Sequence, residues 1–246
     1  DGAGRVVSTT LYANAIPLDT PATEASVSAA IHVDATGDQT NVFSYDAAGH
    51  LTSSTDPLGD TETYTWNGVG DKLSYTNKKG DTWTYAYDAA GRMVSESSPA
   101  VSLVSVAVDA SGKLAISQAG SAPVITRLAY DALGNLVSRT EAAGRPEERT
   151  TQYRYDALGR QIQTIYPAVG VYNASGDDLA GNGADGVAAR TDTVQQLSTS
   201  VVYDAFGDAV SNVDVAGNIS YKTYDTLGRV SYDVDAMGYV TRYQRN

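Results

Sequence analysis

The chain has 246 residues, of which 42% are hydrophobic and 19% charged, a balance that excludes a disordered chain. No run of about 18 apolar residues occurs, so no membrane span is expected. Its 17 basic and 29 acidic residues give a net charge of −12, which argues against nucleic acid as a partner, and the absence of cysteine excludes disulfides and thiol chemistry.

In chain order the first repeated feature is a turn signal. An acidic residue or Asn followed three positions later by Gly occurs seventeen times, against about four expected from composition. It starts at Asp1 and Asp34, then at Asp46, Asp56, Asn67, Asn77 and Asp88, advancing by 10 or 11 residues. Asp109, Asp131, Glu141 and Asp156 follow, then Asn173 and Asp178, and finally Asp204, Asp214, Asp225 and Asp235. The unit is about 21 residues with two turns. A carboxylate or amide oxygen at the first position can accept backbone N–H groups two or three residues on. The Gly then enters the left-handed region, where a Cβ would clash. This is the chemistry of a hairpin loop closed by a Gly bulge. A helix is excluded, because Gly returns before a 3.6-residue apolar stripe can develop.

Strands are expected between the turns. Phe43 and Tyr45, Tyr64 and Trp66, Tyr85 and Tyr87, and Tyr153 and Tyr155 are i, i+2 pairs, which place both rings on one face. An aliphatic residue returns five positions after the turn start at Leu51, Met93, Leu114, Leu136 and Val230, and six after at Leu73, Ile162 and Val210. The expected fold is all-β: consecutive antiparallel hairpins in a curved, spiralling sheet, because roughly twenty strands twisting by about 20° each cannot stay flat. The array is expected to fill residues 1–246 as one domain. Irregular insertions interrupt it at about 7–33 and 167–200, and Ser97–Ser121 is read as a degenerate unit that keeps the period.

Few residues suggest catalysis. Fourteen of the acids are turn starts, no Gly-x-Ser-x-Gly elbow occurs, and His32 and His50 read as packed or surface residues. A weak calcium candidate is the loop containing Asp177, Asp178 and Asp185, where Gly181–Val187 overlaps a calcium-binding nonapeptide. Otherwise no cofactor is expected. Asn173 and Asn218 open glycosylation sequons.

Six segments carry a resemblance. Tyr45-Asp46 to Gly49, Tyr87-Asp88 to Gly91, Tyr130-Asp131 to Gly134, Tyr155-Asp156 to Gly159, Tyr203-Asp204 to Gly207 and Tyr224-Asp225 to Gly228 closely resemble the YD repeat of the RHS family. That family includes bacterial Rhs polymorphic toxins, the C component of insecticidal toxin complexes, and teneurins. The resemblance implies a β-ribbon spiralling into a hollow shell that encloses a toxin. Its terminal Asp-Pro-x-Gly-Leu motif is not reproduced: after Asp56-Pro57-Leu58-Gly59 comes Asp60.

The expectation is therefore a non-enzymatic, structural interior section of a longer repeat protein, secreted or on a bacterial cell surface. Its partners would be flanking YD repeats and either an enclosed toxin domain or, in a fibre, further repeats. The alternative is a recognition module binding surface glycan or protein through rows of Tyr45, Tyr64, Trp66, Tyr85, Tyr87, Tyr130, Tyr153, Tyr155, Tyr203 and Tyr224. A hydrolase on a β-solenoid or propeller scaffold is the third reading.

Overall fold

A computed structural model of the chain describes residues 1–108, 112–172 and 192–245. The chain divides into two compact units, Asp1–Val124 and Ile125–Asn246. The first contains β1 (Ser8–Leu11), α1 (Glu24–Ala30), β2 (Gln39–Tyr45), β3 (Leu51–Thr55), β4 (Thr61–Trp66), β5 (Lys72–Thr76), β6 (Thr82–Tyr87) and β7 (Met93–Val108). Strand β8 (Leu114–Tyr130) begins there and ends in the second unit. The second unit continues with β9 (Leu136–Glu141), β10 (Arg149–Tyr155), β11 (Gln161–Ile165), β12 (Val169–Tyr172), β13 (Asp192–Gln195) and β14 (Ser198–Tyr203). It closes with β15 (Ala209–Val213), β16 (Ile219–Tyr224), β17 (Val230–Val234) and β18 (Val240–Arg242).

The fold is all-β, and nearly every strand pairs antiparallel with the next in sequence. Within the insertion at 167–200, β12 and β13 form their own two-stranded sheet, and β11 pairs past them with β14. The insertion at 7–33 holds β1, which pairs with β2, and the seven-residue α1, whose N-cap Thr23 accepts the Ser26 N–H. Ser97–Ser121 lacks the intermediate turns, and its Asp109 turn start lies outside the described residues. Strands β7 and β8 run through it with 16 and 17 residues, twice or more the usual length, and no turn interrupts β7.

Two kinds of hairpin alternate. Those ending in an aromatic residue before the turn carry a register shift next to it, at Tyr45, Trp66, Tyr87, Tyr130, Tyr155, Tyr203 and Tyr224. Ser44 faces Ser53 but Tyr45 faces Leu51, so Thr52 is the extra residue of a bulge. Leu51, Met93, Leu136 and Val230 at five positions after the turn start, and Leu73, Ile162 and Val210 at six, occupy these two neighbouring bulge positions. The intervening hairpins, such as β3–β4 and β5–β6, hold one register throughout. One full alternation is the 21-residue unit.

The two faces differ. In β4 and β6 the half-buried positions are Glu62, Tyr64, Trp66, Trp83, Tyr85 and Tyr87, alternating with exposed Thr61, Thr63, Thr65, Thr82, Thr84 and Ala86. Ser53, Thr63, Thr76 and Thr82 form one cross-strand row on the second face, and Thr65, Ser74, Thr84 and Ser97 another. Their hydroxyls pair across strands: Thr65 with Ser74 at 2.6 Å, and Thr76 with Thr82 at 2.8 Å. Among the described residues no second layer covers either face within a unit. Among the described residues the buried hydrophobic side chains are Ala143 and Val234, 6% and 7% exposed.

Turn glycines carry the backbone strain that any other residue would meet. Gly80 has φ +86° with open space where a Cβ would project, whereas Gly68, also in open space, has no such φ. Gly80→Ala should therefore cost about 1–2 kcal/mol, and Gly68→Ala should be neutral or slightly stabilising. Urea unfolding checks this, and equal effects at both positions would contradict it.

Candidate functional site

The repeated site is the turn itself. At Asp131 the carboxylate Oδ1 accepts the N–H groups of Leu133 and Asn135, both at 2.9 Å. The Gly134 N–H donates to the Asp131 carbonyl at 3.1 Å, and the Asp131 N–H to the Asn135 carbonyl at 3.0 Å. The side chain thus takes the donors two and four residues on, not two and three, because the Gly amide is held by the main chain. The same pattern recurs at Asp56, Asp88, Asp156, Asp204 and Asp225. At Asp46 the Oδ1 bond to the fourth residue, His50, is made at 2.9 Å. Gly49, Gly91, Gly134, Gly159, Gly207 and Gly228 all have φ between 73° and 98°. Asp34 is an exception: its Oδ1 takes the Thr36 and Gly37 amides, and Gly37 has no positive φ. Glu141 is another, since the following chain reversal places Ala142 at φ 52° and caps the Gly144 N–H with Glu148.

The fourth residue after the turn start completes the motif, and sequence reasoning gave it no role. Arg92, Arg160 and Arg229 donate through Nε to Oδ2 of Asp88, Asp156 and Asp225 at 2.6–2.8 Å. Asn135 and Asn218 do so through Nδ2 at 2.9 Å, and His50 Nδ1 lies 2.9 Å from Asp46 Oδ2 while its ring stacks on Trp66. At Asn67 and Asn77 the roles swap, and the amide donates to Asp71 and Asp81. This swap within one chain was the available signal. The residue also reaches onward: Arg5 Nη1 donates to the Asp46 carbonyl and Arg160 Nη1 to the Asp204 carbonyl, each at 3.2 Å.

The aromatic residue before the turn closes the sheet at its frayed end. Main-chain pairing of β5 with β6 stops at Ser74↔Thr84, beyond which the Tyr87 hydroxyl donates to the Lys72 carbonyl at 3.0 Å. Tyr155 does the same to Leu136, Tyr203 to Gln161, Tyr224 to Ala209 and Tyr45 to Val6, and Trp66 Nε1 does so to Leu51. Each carbonyl belongs to the start of the preceding paired strand or lies just before it, where no ladder partner remains. Tyr130 ends β8 opposite Leu136, and Tyr153 lies opposite Thr164.

The remaining rings form a ladder. Tyr64, Tyr75 and Trp83 stack across three strands with centroids 5.3 and 5.5 Å apart. Both Tyr64 and Tyr75 donate to the Glu62 carboxylate, at 2.9 and 3.0 Å. Burial, then the Glu62 carboxylate, pushes the Tyr64 phenol up to about 12. Lys72 lies over Tyr85 at 4.9 Å, Arg5 over Tyr45 at 4.8 Å and Arg160 over Tyr203 at 4.7 Å.

Open depressions lie between successive aromatic turns. One of about 730 Å³ is lined by Phe206, Val210, Tyr221 and Tyr224, and another of about 700 Å³ by Val69, Leu73, Tyr85 and Tyr87. Their recurrence makes them a property of the period. Among the described residues no three His, Cys, Asp or Glu side chains converge to hold a metal. Asp177, Asp178 and Asp185, proposed for calcium, lie outside the described residues. Among the described residues no helix is long and apolar enough to cross a membrane.

The family model described as RHS Repeat matches residues 45–82, 70–100 and 130–168. No curated protein sequence matches it. Similar solved structures include the TcdB2-TccC3-TEV crystal structure, at 14% identity and TM-score 0.44, covering 83% of this chain and 11% of that one. The Photorhabdus luminescens Tc holotoxin pore is another, at 14% identity and TM-score 0.39, covering 99% and 14%. The chain thus spans less than a sixth of the length of either.

Acid should loosen these turns. The Arg229 side chain, then its N–H, holds Asp225 down to about 2, below the ordinary 3.8. Asp88 and Asp131 are lowered by the side chains of Arg92 and Asn135. A depressed carboxyl stabilises the fold above its unfolded pKa, and that contribution is lost as pH falls through the folded value. Stability should therefore decline between about pH 4 and pH 2. Arg229→Gln should return the Asp225 carboxyl toward 3.8 in an NMR titration; an unmoved midpoint would show that the ion pair is not the cause.

Proposed function

We propose that the chain is a structural wall section of an RHS-type assembly that encloses a toxin cargo, doing no chemistry of its own and acting outside the cell that makes it. The observation supporting this most directly is the absence, among the described residues, of a second layer within each unit. A sheet with aromatic ladders on one face and paired hydroxyls on the other is built to separate two spaces, not to surround a core. Its stability is distributed over nearest-neighbour hairpins, as in other repeat proteins, so length can be added without redesign.

The aromatic rows favour this reading over glycan recognition. Stacking on sugar needs open ring faces. Here the faces of Tyr64, Tyr75 and Trp83 meet one another, and cations or His50 cover Tyr45, Trp66, Tyr85 and Tyr203. The hydroxyls of Tyr45, Tyr64, Tyr75 and Tyr203 are engaged as well, with carbonyls or with Glu62.

Two measurements test the proposal. Tyr155→Phe and Tyr224→Phe should each destabilise by about 1–2 kcal/mol in urea unfolding, since each leaves a carbonyl unpartnered; no change would remove the structural role of the hydroxyl. In the full gene product, the cargo should resist trypsin until the wall is opened with denaturant. Cargo digested as fast as the isolated domain, or glycan-array binding abolished by Tyr64→Ala with an unaltered Tm, would overturn the reading.

A further inference from the structure

Strands β7 and β8 carry an arm that the repeat does not require. Pairing of β6 with β7 runs from Tyr87↔Met93 to Thr84↔Ser97 and stops, and β8 pairs with β9 only from Arg127 onward. Strands β7 and β8 are neighbours in the sheet, and among the described residues neither Ser98–Val108 nor Leu114–Val124 pairs with β6 or β9. Prolines 99 and 123 remove two N–H groups at the root, and the Val124 N–H donates to Ser98 Oγ at 2.9 Å instead of to a main-chain carbonyl. Beyond the root, about ten residues per strand reach roughly 33 Å.

The arm differs in charge and exposure from the rest of the chain. From Ser98 to Val124 its charged residues are Asp109 and Lys113, a net of zero in a chain of −12. Val101, Val104, Val108, Leu114 and Ile116 are 42%, 54%, 66%, 65% and 73% exposed. A two-stranded hairpin is marginal in water by itself. Long apolar edges that carry no charge along their length invite a further strand.

We propose that this hairpin is an association arm that pairs edge to edge with the same arm of a second copy of the chain, giving a four-stranded sheet. Charge selects this occupant. Two chains of −12 repel one another over most of their surface, and the neutral arm is where they can approach. An extended, uncharged, Val-rich edge is what such an edge can accept, and the arm supplies it to itself in a two-fold, isologous contact. A bilayer is a poorer occupant, because a lone hairpin in hydrocarbon leaves both outer rows of N–H and C=O groups unpaired. The inference does not depend on the wall reading, since it rests on the arm alone.

Sedimentation velocity and multi-angle light scattering over a concentration series test it. The chain should be dimeric at tens of micromolar. Val104→Lys or Ile116→Lys should weaken the dimer at least about tenfold, with an unchanged far-UV circular dichroism spectrum. Replacing residues 98–124 by an Asp-Ala-Leu-Gly turn should give a monomer. A monomeric wild type, or a dimer that survives removal of the arm, would overturn the proposal. Arm-dependent flotation of a monomer with zwitterionic phosphatidylcholine vesicles would also overturn it, by assigning the arm to lipid.

Discussion

The structure depends on one oxygen atom per turn. A single carboxylate or amide Oδ1 accepts two backbone N–H groups, two and four residues on, while the intervening Gly in the left-handed region returns its amide to the same residue's carbonyl. That fork closes a reversal in five residues and leaves Oδ2, or the amide Nδ2, free for the fifth side chain. Strand spacing and the placement of rings and hydroxyls on opposite faces follow from where this closure falls.

Stability is consequently local. With almost no buried side chains among the described residues, each hairpin is held by its turn and its cross-strand pairs, and the bulged ones also by aromatic donors such as Tyr87 and Tyr155 reaching back to the preceding paired strand. Asp and Asn both serve at the turn because either presents Oδ1; the fifth residue complements Oδ2 or Nδ2 at several turns, but the fork also forms where Asp60 and Asp208 follow Asp56 and Asp204. Arg follows Asp88, and Asp follows Asn67 and Asn77. High acidity is tolerated because turn carboxylates are satisfied by amides and neighbouring cations instead of facing one another in a core.

The parts of this legible in the sequence were those decided by contiguous residues. Asp, Gly and the preceding Tyr lie within five positions, so the turns and the ring-bearing strand faces could be read directly. The recipients of the Tyr hydroxyls could not, because Lys72 lies fifteen positions before Tyr87 and only the β5–β6 register brings them together. Helix α1 was hidden by its length of seven residues and Ala/Ser composition, although Thr23 is an ordinary N-cap. The long hairpin was misread because Asp88, Asp109 and Asp131 keep a 21- to 22-residue spacing while the intermediate turns are missing. Spacing alone cannot tell two short strands from one long one.

Residue-resolved amide hydrogen exchange tests the central claim most directly, because it reports where the fold is held. Turn amides such as Leu133 and Asn135 should be protected to a degree comparable with their flanking strands, and protection should be spread over successive hairpins. Turn amides exchanging at the rate of an unstructured peptide, or protection concentrated around Ala143 and Val234 as in a conventional core, would contradict the account.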